Sequence, residues 1–426
     1  MKYMLLTYGC QMNTADSEEM ARPLEARGFL PTADLQRADI VLMNTCTVRE
    51  QAEHRAQSNL GRLRGWKAAD PNRVLIVAGC AASRWGDSIK KRYPYIDLVA
   101  PATKIEQFPE LVEQVLKERW NWQGENEQTF ADNWMTRWLD NWKTPNQPVN
   151  QSSSHHSTNL FGDSQTAYIT IMRGCNYSCS YCIVPQVRGR EKYRPLPEIL
   201  AEVEAKAAQG KTEVMLLGQT VNSYYWKTDT GTRGHGDTGT HQEDISASPL
   251  HRVPASGVFD FADLLRAVDA VNGVERIRFM SPHPRHMRDR VIEAMRASAK
   301  VCRHIHLPVQ SGSSRLLASM NRLYTREEYL AIIQKLRRAM PGLMITTDLI
   351  VGFPGETEAD FEASLSLMEL VAFDGLFAFK FSPRPGTAAA EEPDDVPANA
   401  KEARLQQVLA LNKHIQRQKP REALSA

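Results

Sequence analysis

Apolar runs and amphipathic stretches alternate from the start of the chain. Lys2–Thr7 is an apolar run that ends at Tyr8-Gly9-Cys10, Asp39–Asn44 one that ends at Thr45-Cys46-Thr47, and Arg73–Ala78 one that ends at Gly79-Cys80. Between them lie helix-like segments, Thr14–Arg27 with Thr14 as N-cap, and Val48–Trp66, rich in Ala, Arg, Gln and Glu. Strand–helix–strand alternation of this kind predicts a parallel, doubly wound sheet.

The alternation resumes at Thr166. The pattern predicts strands over Ala167–Met172, Glu213–Leu217, Arg276–Met280, His304–Pro308, Met344–Val351 and Leu376–Phe381. It predicts helices over Leu196–Gln209, Phe261–Val271, Pro284–Ala297, Ser314–Met320, Thr325–Met340 and Glu358–Leu370. Six βα units suit a partial (β/α)6 barrel with its working groups on the loops after the strands. A final helix is expected over Val396–Gln418, with Lys413, Arg417, Lys419 and Arg421 forming a basic tail. The chain thus reads as an α/β protein. Residues 1–117 form the doubly wound domain, 118–165 a linker, 166–395 the partial barrel, and 396–426 a helix and tail.

Two stretches break the rhythm. The linker carries Trp120, Trp122, Trp134, Trp138 and Trp142. The last three share one helical face, which suits a packed aromatic stripe or a base-stacking surface. His155 and His156 sit in a Ser- and Asn-rich part of it that reads as loop. Residues 225–258, rich in Gly, Thr and Asp, read as a surface insertion. Its His235, His241 and His251 are too irregularly spaced for a metal site.

Composition narrows the class. The chain has 426 residues, 42% hydrophobic and 24% charged, with a formal net charge of +2. That balance is ordinary for a soluble protein of two or three domains and does not announce nucleic acid. No apolar run spans a membrane, and the N-terminus turns polar too quickly for a signal peptide. Seven cysteines in a chain with no export signal suggest reduced thiols in a cytoplasm, where clustered cysteines mean metal or catalysis.

Three of them, Cys175, Cys179 and Cys182, stand at C-x3-C-x2-C spacing in a loop after the first barrel strand. Structural zinc wants four ligands. Three thiolates suit a [4Fe-4S] cubane with one iron left open to bind and reduce a small molecule. Cys10, Cys46 and Cys80 are far apart in sequence, and each alone suits a buried core thiol. Yet each follows a successive parallel strand, and the loops after parallel strands gather at one sheet edge. They are therefore candidates for a second cluster. Cys302 opens a strand with no cysteine nearby and reads as a core thiol.

These same motifs carry a resemblance. Tyr8-Gly9-Cys10-Gln11-Met12-Asn13, Asn44-Thr45-Cys46-Thr47-Val48-Arg49 and Gly79-Cys80 resemble the N-terminal domain of the methylthiotransferase family, and Gly174–Cys182 with Val184–Pro195 resembles its radical S-adenosylmethionine domain. The resemblance runs over about residues 1–110 and 166–415. The Gln11-Met12-Asn13 segment is similar to the transfer-RNA branch that acts on N(6)-dimethylallyladenosine, more than to branches acting on a ribosomal protein or on threonylcarbamoyl-adenosine. Membership implies two [4Fe-4S] clusters and S-adenosylmethionine. The cluster on Cys175, Cys179 and Cys182 would reduce S-adenosylmethionine to a 5′-deoxyadenosyl radical that activates carbon 2 of the adenine. The cluster on Cys10, Cys46 and Cys80 would carry the sulfur, methylated by a second S-adenosylmethionine before transfer. The partners implied are the anticodon stem–loop of transfer RNA and a reduced flavodoxin or ferredoxin. A non-catalytic RNA-binding iron–sulfur protein is the alternative.

The resemblance also assigns the strand ends. Tyr181, Gly218, Gln219, Gln310, Gly352, Gly355 and Glu356 are expected around S-adenosylmethionine. Glu356 equally suits a helix start. Arg188 and Arg190, in a basic run at the barrel rim, and Arg384 are candidates for substrate phosphates. Typical relatives have asparagine at Thr220, serine at Tyr193 and glycine at Leu323, and continue into a small TRAM-type β-barrel after the last helix, for which this sequence has no counterpart.

Overall fold

The computed structural model describes residues 1–48, 50–120, 165–227 and 257–419. The stripe Trp134, Trp138 and Trp142, with Trp122, lies outside the described residues, as do His155, His156, His235, His241, His251 and Arg421. The chain forms two compact units, Met1–Thr170 with Val184–Arg190, and Ile171–Ile183 with Glu191–Ala426.

The first unit is built on five parallel strands, β1 (Lys2–Thr7), β2 (Leu30–Pro31), β3 (Ile40–Thr45), β4 (Val74–Gly79) and β5 (Leu98–Pro101), in the order β2-β1-β3-β4-β5. Its helices are α1 (Gln11–Glu25), α2 (Glu50–Ala69), α3 (Cys80–Trp85), α4 (Ser88–Arg92) and α5 (Phe108–Trp120). Every residue of β3 and β4 is buried, as befits central strands covered on both sides. The pleat sorts their side chains. Ile40, Leu42, Val74 and Ile76 meet Met20 and Leu24 of α1 and Val112 and Leu116 of α5. Val41, Met43, Leu75 and Val77 meet Ala56, Leu60 and Leu63 of α2 on the other face. Each such Leu or Ile contributes about 1.5–3 kcal/mol by leaving water.

Two boundaries differ from the sequence reading. α1 starts at Gln11, with Cys10 rather than Thr14 at its N-cap and no side-chain cap. The helix therefore begins directly on the cysteine loop. Residues 118–120, read as linker, complete α5, where Trp120 stacks on Phe29 with centroids 6.0 Å apart. Strand β6 (Thr166–Thr170) and the short helix α6 (Val184–Arg188) group with this first unit, although the sequence places them in the barrel.

In the second unit a two-residue antiparallel pair, β7 (Met172–Arg173) and β8 (Lys192–Tyr193), flanks the cysteine loop. Then follow α7 (Leu196–Ala208), β9 (Glu213–Leu217), the hairpin β10 (Tyr225–Lys227) and β11 (Val258–Asp260), α8 (Phe261–Asp269), β12 (Arg276–Phe279), α9 (Asp289–Ala297), β13 (His304–His306), α10 (Ser314–Ser319), α11 (Arg326–Ala339), β14 (Met344–Val351), α12 (Glu358–Val371), β15 (Gly375–Lys380), α13 (Ala388–Glu391) and α14 (Ala398–Gln418). β9 and β12 pair in parallel, as do β13, β14 and β15 in turn. A parallel bridge from Ile277 to Val301 joins the two groups. β14 alternates buried and half-buried residues, so only its helix-covered face is closed. That alternation is the mark of a barrel wall rather than a doubly covered sheet. α11 and α12 start on capping boxes set by Thr325 with Glu328 and by Thr357 with Asp360.

Candidate cluster-binding sites

In the first unit the ends of β1, β3 and β4 lie side by side, and Cys10, Cys46 and Cys80 follow them directly. The loops touch because two positions lack side chains. A Cβ on Gly9 (φ 122°) would lie 2.5 Å from Cys46 Cβ and 2.9 Å from its sulfur. A Cβ on Gly79 (φ 95°) would lie 2.2 Å from Asn44 Oδ1 and 2.5 Å from the Thr45 carbonyl. Both backbones are in the left-handed region that glycine alone enters freely.

Asn13, fully buried, ties the loops together. Its Nδ2 donates to the carbonyls of Tyr8 at 2.8 Å and Thr45 at 2.9 Å, and its Oδ1 accepts from Cys10 Sγ at 3.7 Å. Asn44 Nδ2 donates in return to the Asn13 carbonyl at 2.8 Å. Thr45 Oγ1 donates to the Ala78 carbonyl at 2.6 Å and accepts from the Ala82 N–H at 3.2 Å.

Arg188 completes this centre. Its Nε donates to Cys80 Sγ at 3.1 Å, and its Nη2 to Asn13 Oδ1 at 3.1 Å and to Asp16 Oδ2 at 2.8 Å. The Arg188 and Asp16 side chains are 4% and 0% exposed. This departs from the phosphate contact expected of Arg188, because a guanidinium sealed on a carboxylate has no face left for RNA. Burial pushes the Cys80 thiol up to about 12; Arg188 opposes that shift, and Cys46 and Cys10 add to it. The three sulfurs therefore feel one another, and a bound cation must displace the Cys80 proton.

In the second unit the loop 174–182 is fastened at several points. Gly174 has φ 78°, and the Cys182 N–H closes a turn on the Cys179 carbonyl at 3.0 Å. Ser180 N–H donates to the Met320 carbonyl at 3.1 Å and its hydroxyl to the Ser319 carbonyl at 2.9 Å. Asn321 Nδ2 donates to the Ser178 carbonyl at 2.9 Å. Tyr177 stacks on His283 with centroids 4.3 Å apart, and its hydroxyl meets His286 Nε2 at 2.6 Å. Tyr181 packs on the core of Leu316, Met320, Phe353 and Phe381.

The loop presents its cysteines unequally. Cys179 is buried, while Cys175 and Cys182 are half-buried. Cys179 Sγ accepts from Arg322 Nη1 at 3.4 Å, and Cys175 Sγ lies 3.4 Å from Thr220 Oγ1. Burial raises the Cys175 thiol above its ordinary value, and Thr220 opposes this.

Two acceptors fit the expectation of a ligand here. Gln219 Oε1 and Glu356 Oε1 are buried without a hydrogen-bond partner among the described residues. Native proteins rarely leave such atoms unpaired, and a ligand bearing an ammonium group or ribose hydroxyls supplies donors for them. Two of the glycines read as ligand contacts, Gly218 and Gly352, are also required by the protein's own packing. A Cβ on Gly218 would meet Met172 Cγ at 2.4 Å, and one on Gly352 would meet Lys401 Cγ at 2.3 Å. Gly355 N–H donates to Asp395 at 2.7 Å. Glu356 does not start a helix; Oε2 accepts from the Gly352 N–H at 2.6 Å and from Arg404 at 2.8 Å, and α12 is capped by Thr357 instead. Gln310 sits at φ 73°, an uncommon backbone for a residue with a side chain, bridged to Leu349. Arg190 is exposed; Arg384 is half-buried, its carbonyl accepting from the Thr387 hydroxyl at 2.7 Å. Cys302 is half-buried rather than sealed in the core.

The donor sets suit clusters better than single ions. No three His, Cys, Asp or Glu side chains among the described residues converge as a mononuclear ion requires. A cubane holds its thiolates at separate corners; one centre offers three sulfurs on three neighbouring loops and the other three on a single loop. Sequence reasoning missed Asn13, Asp16, Arg322 and the His283–Tyr177–His286 group. Asn13 stands inside the first motif and Tyr177 inside the second, but nothing in the sequence marks Asp16, Arg322, His283 or His286.

Comparison with known proteins covers both parts of the chain. The Radical SAM superfamily model matches residues 169–368, and the model of Uncharacterized protein family UPF0004 matches residues 2–101. A tRNA-2-methylthio-N(6)-dimethylallyladenosine synthase from a Thermoanaerobacter species is 40% identical over 99% of this chain and 79% of its own length. Proteins of the same name from Sorangium cellulosum and Carboxydothermus hydrogenoformans are 42% and 37% identical, over 95% and 97% of this chain and 76% and 83% of theirs. The radical S-adenosylmethionine methyltransferase TsrM from Kitasatospora setae has the same fold at a TM-score of 0.58 and 15% identity, covering 91% of this chain and 77% of that one.

Proposed function

The chain belongs to the family of tRNA-2-methylthio-N(6)-dimethylallyladenosine synthases, and from that membership we propose that it places a methylthio group on carbon 2 of N(6)-dimethylallyladenosine beside the anticodon of transfer RNA. It is a radical S-adenosylmethionine enzyme whose cofactors are two [4Fe-4S] clusters and S-adenosylmethionine. The observation that carries the reading is the pair of three-cysteine centres, one on each compact unit.

Carbon 2 of adenine is an unactivated aromatic position, beyond the reach of side-chain acids and bases. The bound clusters and S-adenosylmethionine supply the radical and the sulfur; the protein supplies position and electrostatics. Cys175, Cys179 and Cys182 would hold one cluster, and three thiolates would leave one iron open to the cofactor. Gln219 and Glu356 accept from the cofactor's amino and hydroxyl groups, with Gln310 on the same side of the strand ends. Thr220 and Arg322 hold the Cys175 and Cys179 sulfurs in place. Tyr181 anchors the loop in the core. Cys10, Cys46 and Cys80 would hold the second cluster, which would supply the sulfur. Arg190 and Arg384 meet RNA phosphates. A reduced flavodoxin or ferredoxin delivers the electron. No helix among the described residues is long and apolar enough to cross a membrane. A transfer-RNA substrate favours the cytoplasm as the place of action.

The test is turnover on an anticodon stem–loop RNA carrying N(6)-dimethylallyladenosine, with S-adenosylmethionine and a chemical reductant. Nucleoside mass spectrometry should show the 2-methylthio product. Product on a ribosomal peptide, and none on the RNA, would overturn the substrate assignment.

A further inference from the structure

We propose that Arg188 is a positioning residue for the second cluster, donating to the Cys80 sulfur and setting that cluster's reduction potential jointly with Asp16. The inference rests on the reading of Cys10, Cys46 and Cys80 as cluster ligands. The sequence puts Arg188 in a basic run beside an exposed Arg190, the pattern of an RNA contact. The structure puts the two to different uses. Val184–Arg190 groups with the first unit, and within it Arg188 turns into the cysteine edge.

Three of its features go beyond a structural ion pair. First, its donors are divided: Nη2 serves Asp16 and Asn13, while Nε is directed at a cysteine sulfur 3.1 Å away. An arginine needed only to neutralise Asp16 would send the fork to the carboxylate. Second, Asn13 takes part in both networks. The side chain whose Oδ1 accepts from Arg188 also donates from Nδ2 to the Tyr8 and Thr45 carbonyls, so the guanidinium is registered against the loops that carry Cys10 and Cys46. Third, the pair is sealed from water, so its field reaches the cluster with little screening.

Hydrogen bonds to cluster sulfurs and nearby net charge are the protein's levers on potential. The N–H of Arg188 withdraws charge from the Cys80 sulfur and favours the reduced cluster. Asp16 opposes it by bringing the local charge back towards zero. Outer partners of this kind are commonly worth as much as a ligand's own geometry.

The two residues make opposite predictions, which a scaffold role does not. The full chain with Cys175, Cys179 and Cys182 all replaced by Ala isolates the second cluster. Its potential is read by dye-mediated titration followed by electron paramagnetic resonance, with iron content measured alongside. Arg188→Gln should move the potential negative, and Asp16→Asn should move it positive. Arg190→Gln should leave it unchanged. Shifts of the same sign, or no shift in either variant at full iron content, overturn the proposal. If Arg188→Gln fails to take up iron, Arg188→Lys decides: it keeps the charge beside Asp16 but not Nε at Cys80. A smaller negative shift supports the proposal, and an unchanged potential overturns it. Absence of any cluster in the parent chain would instead remove the cysteine assignment on which the proposal stands.

Discussion

Arg322 donates from Nη1 to the Cys179 sulfur at 3.4 Å, and among the described residues no carboxylate pairs with it. Its other donors go to the Tyr324 hydroxyl at 3.3 Å and the Pro308 carbonyl at 3.4 Å. The guanidinium is buried, so its charge is directed at the cysteine loop. Arg322→Gln should keep about four irons on the loop but lower the rate of 5′-deoxyadenosine formation about 10- to 100-fold. The assay needs no RNA. A rate equal to that of the unaltered protein would show that the charge is incidental.

Two independent centres predict a simple iron count. Reconstituted protein should hold about eight irons per chain, and Cys10→Ala and Cys175→Ala about four each. Loss of all iron in either variant would mean that the centres assemble together.

Leu323 stands at φ 60° with half its surface exposed. The family resemblance leads to an expectation of glycine here, and the left-handed backbone supplies a reason for it. A side chain there costs about 1–2 kcal/mol. Leu323→Gly should therefore stabilise the chain by about 1 kcal/mol and raise Tm by a few degrees. The neighbouring Asn321, also left-handed, uses its side chain on Ser178, so Asn321→Gly should not stabilise.

Gly79 and Gly28 separate strain from space. Both have positive φ, but a Cβ on Gly28 meets nothing within 4 Å, whereas one on Gly79 strikes the end of β3. Gly28→Ala should cost about 1 kcal/mol. Gly79→Ala should cost about 2 kcal/mol more and reduce iron on the Cys10, Cys46 and Cys80 centre. Thermal unfolding with iron analysis distinguishes them.

His286 is lowered to about 4, first by burial and then by Arg288 and Arg285. His283 is lowered further, by burial, Arg322 and His286. Both unfolded imidazoles titrate near pH 6.5. Between that value and the folded ones the unfolded chain binds more protons, so stability falls as the pH falls. The slope is about 1.4 kcal/mol per pH unit for each imidazole. Tm should be flat above pH 7 and drop towards pH 5, and His286→Gln should shallow the drop.

Much of this protein was legible in the order of its residues. The strands over Lys2–Thr7, Glu213–Leu217 and Met344–Val351 match the apolar runs residue for residue. The edge strands Leu30–Pro31 and Leu98–Pro101 are too short and too exposed to stand out in the pattern. The start of α1 was misplaced because Thr14 is a good cap by composition, while the cysteine loop had already set the helix direction.

What the sequence determined by itself was the class of fold and the chemistry: alternating periods dictate parallel strands, and parallel strands bring their trailing loops, with Cys10, Cys46 and Cys80, to one edge. What only the tertiary structure decided was the use of the charges and glycines around those loops. Arg188 reads like its exposed neighbour Arg190 until the fold seals it between Asp16 and Cys80. Why Gly218 and Gly352 lack side chains is clear only once Met172 and Lys401 are seen where a Cβ would lie. Periodicity is a local property of the chain, but burial and partnership depend on which distant residues the fold brings together.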